Sequence, residues 1–136
     1  MAGFVGAKLV LTCGGSLLTA LRDDFRHIPW PGHWDLPGGG AEPGETPLAC
    51  ALRELYEEFG LRLAPARLVG RVFPAVQAPG RDSWLFRGRI TPAEIARIRF
   101  GDEGQGWRMM PLDEFIAHPR AVPHFRERVA RMLAES

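Results

Sequence analysis

One short helix has both of its ends written into the sequence and its charge at the wrong end, and this constrains the fold more than any other feature. In Gly39 to Leu61, GGAEPGETPLACALRELYEEFGL, Thr46 suits the N-cap, Pro47 the first helical position, and Gly60 the left-handed residue that stops the helix. At about 100° per residue, Leu48, Leu52, Leu55 and Phe59 fall on one stripe that faces a core. Glu54, Glu57 and Glu58 gather on a different face, within reach of one another. Each carboxylate near a helix C-terminus costs roughly 0.3–1 kcal/mol through the macrodipole, and like-charge neighbours add to that. A solvated acidic face is the bland alternative, because exposed charge is screened. The preceding segment, Trp34-Asp35-Leu36-Pro37-Gly38-Gly39-Gly40, favours another reading: it brings flexible backbone to the helix, whose carbonyls complete an all-oxygen shell of the kind Mg²⁺ prefers. The pattern points to a divalent metal site.

These residues carry a resemblance. Gly39, five residues, Glu45, seven residues, then Arg53-Glu54-Leu55-Tyr56-Glu57-Glu58-Phe59-Gly60-Leu61 resembles the signature of the Nudix hydrolases, with every defined position filled. The resemblance implies one Nudix domain over residues 1–136, an α/β (α+β) sandwich of helices around a mixed β-sheet. It also implies metal-dependent hydrolysis of a pyrophosphate bond in a nucleoside diphosphate linked to another group, such as a nucleoside triphosphate or a nucleotide sugar. By resemblance, Glu54, Glu57 and Glu58 hold Mg²⁺, with Mn²⁺ a possible substitute, together with the backbone carbonyl of Gly38. Glu45, Arg53 and Gly39 support the site, the Arg fork tying loop to helix. Divalent ions neutralise phosphate oxygens and lower the pKa of bound water, so that water attacks one phosphorus and expels the other phosphate. Many Nudix enzymes carry a further glutamate in a later loop. Here Gly101-Asp102-Glu103-Gly104-Gln105 offers Glu103, with Asp102 the competing choice, and the general base stays open between Glu54 and Glu103.

Composition narrows the function classes. A chain of 136 residues with 46% hydrophobic content fits one domain with a real core. A formal net charge of +1 gives no reason for wholesale binding to nucleic acid or to an anionic membrane, so a small ligand is the expected partner, and the resemblance implies that it is a nucleotide. The segment MAGFVGAKLVLTCGG has no long apolar run, and the expected location is cytoplasmic. Cys13 and Cys50 read as buried free thiols. Nothing in the sequence reports an oligomeric state.

Strands are expected at Lys8 to Cys13 and Ser16 to Leu21 around a Gly14-Gly15 turn, at Trp34-Asp35-Leu36, at Leu68 to Phe73, at Ser83 to Ile90 and at Gly106 to Met110. Thr91 and Pro92 start a further helix, Pro111 to Ala117 forms a helical turn, and Pro123 to Leu133 forms a last helix with Phe125, Val129 and Leu133 inward. Arg126, Arg128 and Arg131 are assigned to its solvent face. Arg22, Arg26 and His27 are candidates for substrate phosphates. Trp34, Phe73, Trp84, Phe86 and Trp107 are candidate stacking surfaces, each otherwise core. His33, His118 and His124 are assigned structural roles. By the same resemblance, family members that take dinucleoside polyphosphates often carry a tyrosine well after the signature, and those selecting oxidised guanine commonly read it with an amide or acidic side chain near the last helix. This chain has no asparagine, Ala121 to His124 offers neither group, and its one tyrosine, Tyr56, lies inside the signature, which weighs against both substrate classes. A non-catalytic sensor or docking module on the same fold is the alternative, and it would be expected to lose the glutamates that this chain keeps.

Overall fold

Strict alternation along the central strands divides the apolar residues between two faces of one sheet. The computed structural model describes residues 3–135. Strand β1 spans Phe4–Cys13, β2 Ser16–Leu21, β3 Trp34–Asp35, β4 Gly38–Gly40, β5 Val69–Pro74, β6 Asp82–Arg89 and β7 Gly106–Pro111. Leu9 and Leu11 of β1, Leu18 of β2 and Phe86 of β6 join one buried cluster, and Val10, Leu17 and Leu85 join the other. Helix α1, Pro47–Phe59, packs Cys50, Ala51, Leu55 and Phe59 into the first cluster. Helices α3, Leu112–Ala117, and α4, Pro123–Ala134, pack Phe115, Phe125, Val129 and Met132 into the second. The short helix α2, Pro92–Ala96, adds Ile95 to the margin of the first. The result is an α/β/α sandwich around a mixed sheet, as expected.

The sheet runs β3-β2-β1-β6-β5, with β4 paired to β1 and β7 paired to β2. β1 and β6 pair in parallel from Phe4 to Thr12. The opposite edge of β1 is divided: β2 pairs only with Thr12 and Cys13, and β4 pairs with Gly6 to Lys8. Between these two stretches Leu9 N–H donates to the Pro37 carbonyl at 2.8 Å. This split opens the sheet beside Lys8, and the functional residues gather there.

Several boundaries differ from expectation. β1 begins at Phe4, four residues before the expected Lys8, because Gly6 lets β4 approach closely; a Cβ there would meet the Gly39 carbonyl. Gly38 to Gly40, read as flexible loop, is a strand paired with β1, and it still offers Gly38 N–H to Glu58 and the Gly38 and Gly40 carbonyls to Lys8 and Arg53. Gly38 has φ +126, and a Cβ on it would run into the Ala7 carbonyl, so only glycine serves. In α1 the inner stripe is displaced toward Cys50 and Ala51, with Leu48 and Leu52 half-buried at its edge. Cys50 is buried and its thiol is pushed up to about 11 by desolvation, whereas Cys13 is only partly covered. Arg128, assigned to solvent, is 7% exposed: its Nη2 donates to the Pro74 carbonyl at 2.6 Å and its guanidinium lies 4.9 Å from the Phe73 ring centre. Stem burial and aromatic stacking favour the inside for an arginine whose head finds a carbonyl.

The caps expected for α1 and α2 are present. Thr46 Oγ1 accepts from Ala49 N–H at 3.1 Å, and Gly60 takes the left-handed conformation at φ 67. Thr91 and Glu94 form a reciprocal capping box, and Arg67 grips Glu94 through two 2.7 Å bonds. That fork holds the Glu94 carboxyl down at about 2.

A folded-state value below the ordinary 4.5 means that the ionised pair stabilises the fold fully above about pH 4.5, and that this contribution fades as pH falls toward 2. Glu94→Gln will therefore lower stability at pH 7 by about 1–2 kcal/mol, allowing for the partial exposure of Arg67. Urea titrations at pH 7, 4 and 2.5 will show the gap between the two proteins closing as pH falls. A gap of constant size would contradict the role given to the pair.

Candidate functional site

The acidic end of α1 lies against β4, and the contact depends on a glycine. A Cβ on Gly39 would occupy the place of the Glu54 carboxylate. Glu58 reaches the same strand, its Oε1 accepting from Gly38 N–H at 2.8 Å. Both carboxylates lose water by this packing. Burial pushes the Glu58 carboxyl up to about 7, against the pull of the nearby Lys8 ammonium and the Gly38 N–H. Burial also raises Glu54, partly offset by Arg53, while Glu57 and Glu103 add repulsion. A buried carboxyl repelled by its neighbours is a group that a cation relieves.

Arg53 organises the other side of the cluster. Its Nε and Nη2 donate to the two oxygens of Glu45 at 2.6 and 3.1 Å, and Nη2 also reaches the Gly40 carbonyl at 2.9 Å. Nη1 donates to Glu57 Oε1 at 3.0 Å and stands 3.6 Å from Glu54 Oε2. The Arg53 hydrogen bonds hold the Glu45 carboxyl below its ordinary range. One guanidinium thus connects the segment before α1, strand β4 and two acidic residues of the helix.

Two cavities flank this arrangement. The first, of about 420 Å³, is lined by Glu54, Glu58, Glu103, Lys8, Gly38 and Phe25, among others. The second, of about 320 Å³, is lined by Trp30, Ser83, Gln77, His124, Phe125 and Arg128, among others. Lys8, Arg22, Asp35, Gly39 and Gly40 line both. Asp35, 5% exposed, is the anchor between them: its Oδ2 accepts from Lys8 Nζ at 3.0 Å and from Arg22 Nη1 at 2.9 Å, and its Oδ1 accepts from Leu36 N–H at 2.7 Å.

Of the residues expected from sequence, Glu54, Glu58, Glu103, Gly38, Gly39 and Arg22 come together at the first cavity. Glu57 is exposed and turned to Arg53. Arg26 and His27 are exposed and line neither cavity, with His27 stacked on Phe25. Trp34 is half-buried at the margin of the second core cluster and lines neither cavity. Asp102 is exposed and also outside them. The fold adds Lys8, Asp35, Asp23 and Trp30, which the sequence does not mark as site residues. Asp23 Oδ2 accepts from Gly104 N–H at 3.0 Å and so steadies the loop that carries Glu103. Trp30 has φ 50, the one positive value outside glycine among the described residues, and strained backbone of this kind collects at binding sites. Lys8 could have been noticed in the sequence as the single lysine among seventeen basic residues.

The donor set suits a hard divalent cation, being oxygen only: Glu54, Glu58 and the Gly38 carbonyl. Among the described residues, no three His, Cys, Asp or Glu side chains converge as a ready-made metal cluster. Also among the described residues, no helix is long and apolar enough to cross a membrane.

A family model described as NUDIX domain matches residues 5–132. An RNA pyrophosphohydrolase of Azorhizobium caulinodans is 34% identical over 150 aligned positions, covering 93% of this chain and 88% of that protein. The human diphosphoinositol polyphosphate phosphohydrolase 3-alpha is 42% identical over 62 residues, which are 46% of this chain and only 37% of that protein's length. Among solved structures, a bifunctional NMN adenylyltransferase/ADP ribose pyrophosphatase of Francisella tularensis, complexed with AMP and a Mn ion, superposes with a TM-score of 0.77 at 22% identity. It covers 97% of this chain and 41% of that one.

Two stability measurements follow from the geometry. Arg53→Ala strands Glu45 and removes the bridge to Gly40, and will cost about 2–4 kcal/mol; Arg53→Lys, lacking the fork, will not restore it. Normal melting of Arg53→Ala would remove Arg53 from its supporting role. Glu58→Gln acts in the opposite sense. With the folded carboxyl at about 7 and the unfolded one near 4.5, burial of Glu58 is harmless below pH 4.5 and destabilises increasingly as pH rises through 7. In chelator, Glu58→Gln will therefore melt higher than wild type at pH 8 and equally at pH 4, and the same melting temperature at both pH values for both proteins would contradict the assignment.

Proposed function

The chain belongs to the Nudix family, and we propose that it is a divalent-metal-dependent pyrophosphohydrolase, acting on phosphoric anhydrides as one domain. Its substrate is a nucleoside diphosphate linked to another group, cleaved by attack of water at phosphorus. The observation that carries this reading is the half-buried, mutually repelling pair Glu54 and Glu58 packed on a strand of three glycines. Burying two carboxylates at a helix C-terminus opposes stability, and a site that keeps them is built for a cation that arrives later. The relatives support the reaction class: one is an RNA pyrophosphohydrolase, and a structural neighbour, a bifunctional NMN adenylyltransferase/ADP ribose pyrophosphatase, is complexed with AMP and a Mn ion.

Glu54, Glu58, Glu57 and the Gly38 carbonyl would hold Mg²⁺, with Mn²⁺ able to replace it. When bound, the ion supplies charge neutralisation at phosphate and a more acidic water. The chain's own residues do the rest. Arg53 keeps Glu45, Gly40 and Glu57 in a fixed relation, so the carboxylates face the phosphates from one side. Lys8 and Arg22 present cationic groups from the other side, where both cavities meet. Glu103, opposite Glu54, or Glu54 itself takes the proton from the attacking water. The nucleoside or its partner group occupies the second cavity, against Trp30 and Phe125. Because one relative acts on RNA, an RNA bearing a terminal pyrophosphate linkage belongs in a substrate screen beside nucleoside triphosphates, nucleotide sugars and ADP-ribose. Retention of all three acidic side chains argues against a sensor that binds without turnover.

Turnover of the best substrate will require Mg²⁺ or Mn²⁺ and vanish in excess chelator; full activity there would end the metal-hydrolase reading. Glu103→Gln will lower kcat about 100-fold or more with a change in stability under about 0.5 kcal/mol, since Glu103 is exposed on a loop. Wild-type kcat in that variant would exclude Glu103 from the chemistry.

A further inference from the structure

Sixteen of the seventeen basic residues are arginine, and the exception, Lys8, stands at the split edge of β1. Its Nζ donates to Asp35 Oδ2 at 3.0 Å, to the Gly38 carbonyl at 3.2 Å and to the Leu36 carbonyl at 3.3 Å. An ammonium has three donors, so this bonding is complete, and a planar guanidinium fork would not match three oxygens so disposed. One acceptor is the Gly38 carbonyl, the same oxygen assigned to the divalent ion. Lys8 is also the strongest charge opposing the rise of Glu58. The lysine stands where positive charge is wanted.

Two features make its hold on Gly38 releasable. Asp35 does not need Lys8 to stay satisfied, because Arg22 Nη1 sits 2.9 Å from the same oxygen and Leu36 N–H bonds the other one. The Lys8 side chain is 17% exposed and lines both cavities, so its four-carbon stem has open space to turn into. A compact ammonium on a flexible stem changes partners at little cost compared with a forked arginine.

We infer that Lys8 is an exchangeable counter-ion: it holds the Gly38 carbonyl while no divalent ion is bound, yields that oxygen to the incoming ion, and carries its charge to a substrate phosphate. The inference rests on the metal site given under Proposed function. No covalent bond is made or broken; three hydrogen bonds are exchanged for contacts to phosphate oxygen. The consequence is a pair of effects of opposite sign. Lys8 competes with the divalent ion, and it assists the phosphate.

Because the chain has one lysine, lysine-selective ¹³C,¹⁵N labelling gives a single set of side-chain NMR signals that needs no assignment. The labelled wild type is titrated with Mg²⁺, then with imidodiphosphate, whose P–N–P link resists hydrolysis. Calorimetry in parallel measures Mn²⁺ alone, and imidodiphosphate in the presence of Mg²⁺, for wild type, Lys8→Met and Lys8→Gln. The Lys8 signals will shift saturably with Mg²⁺ and again with imidodiphosphate. Removing the charge will tighten Mn²⁺ binding about threefold to tenfold and weaken imidodiphosphate about tenfold. A lysine with a structural role alone would move both affinities in the same direction. If wild type binds no Mn²⁺, the metal site itself falls. If wild type binds Mn²⁺ but the Lys8 signals stay fixed, or both variants bind Mn²⁺ equally or more weakly, the exchange is overturned and the metal site stands. Should the variants fail to fold, the wild-type titration decides alone.

Discussion

Two carboxylates at the end of a helix, Glu54 and Glu58, can be packed against a sheet only if donors and cations are brought to them, and the strand Gly38–Gly40 exists in a form that does this. Its glycines let β1, β4 and α1 approach where any side chain would collide with the Ala7 carbonyl or the Glu54 carboxylate. Its backbone then supplies an N–H to Glu58 and a carbonyl to Arg53. Arg53 and Lys8 close the arrangement from opposite sides. The chain accepts raised carboxyls as the cost of a site that is short of positive charge, the usual trade between stability and function.

The sandwich explains why the site sits where it does. α1 and the α3–α4 pair cover opposite faces of the sheet, so neither face is open to a ligand. The opening is at the edge of β1 shared by β2 and β4, where Asp35 joins Lys8 and Arg22. Both cavities begin from that ion cluster. One side is acidic, as a phosphate bridged by a cation requires, and the other is lined by Trp30, Phe125 and Gln77 among others. A nucleotide, with one charged and one flat end, matches that division.

Much of this was legible in the sequence because it is local. Thr46, Pro47 and Gly60 fixed α1 to the residue, and Thr91 with Pro92 placed the start of α2, since caps depend on neighbours within one turn. Spacing placed Glu54 and Glu58 on one face, and the family resemblance paired Arg53 with Glu45. What escaped depends on distant partners. β4 is a strand only because β1 lies beside it, and nothing in three consecutive glycines announces pairing. Arg128 is inside because Phe73 and the Pro74 carbonyl await it from another element. Asp35 and Lys8 are 27 residues apart, and their contact follows from the split of β1, which no periodicity reports. Trp30 lies in an irregular segment, where a side chain's direction is set by the fold alone.

The central claim is that the acidic end of α1 and strand β4 together form the divalent-ion site, and paramagnetic broadening tests it most directly. Mn²⁺ added below stoichiometry to ¹⁵N-labelled protein broadens amide signals steeply with proximity. The account predicts loss of the signals of residues 38–40 and 54–58 first, with Val129 in the far core unaffected. Broadening centred elsewhere, or none at millimolar Mn²⁺, would contradict it.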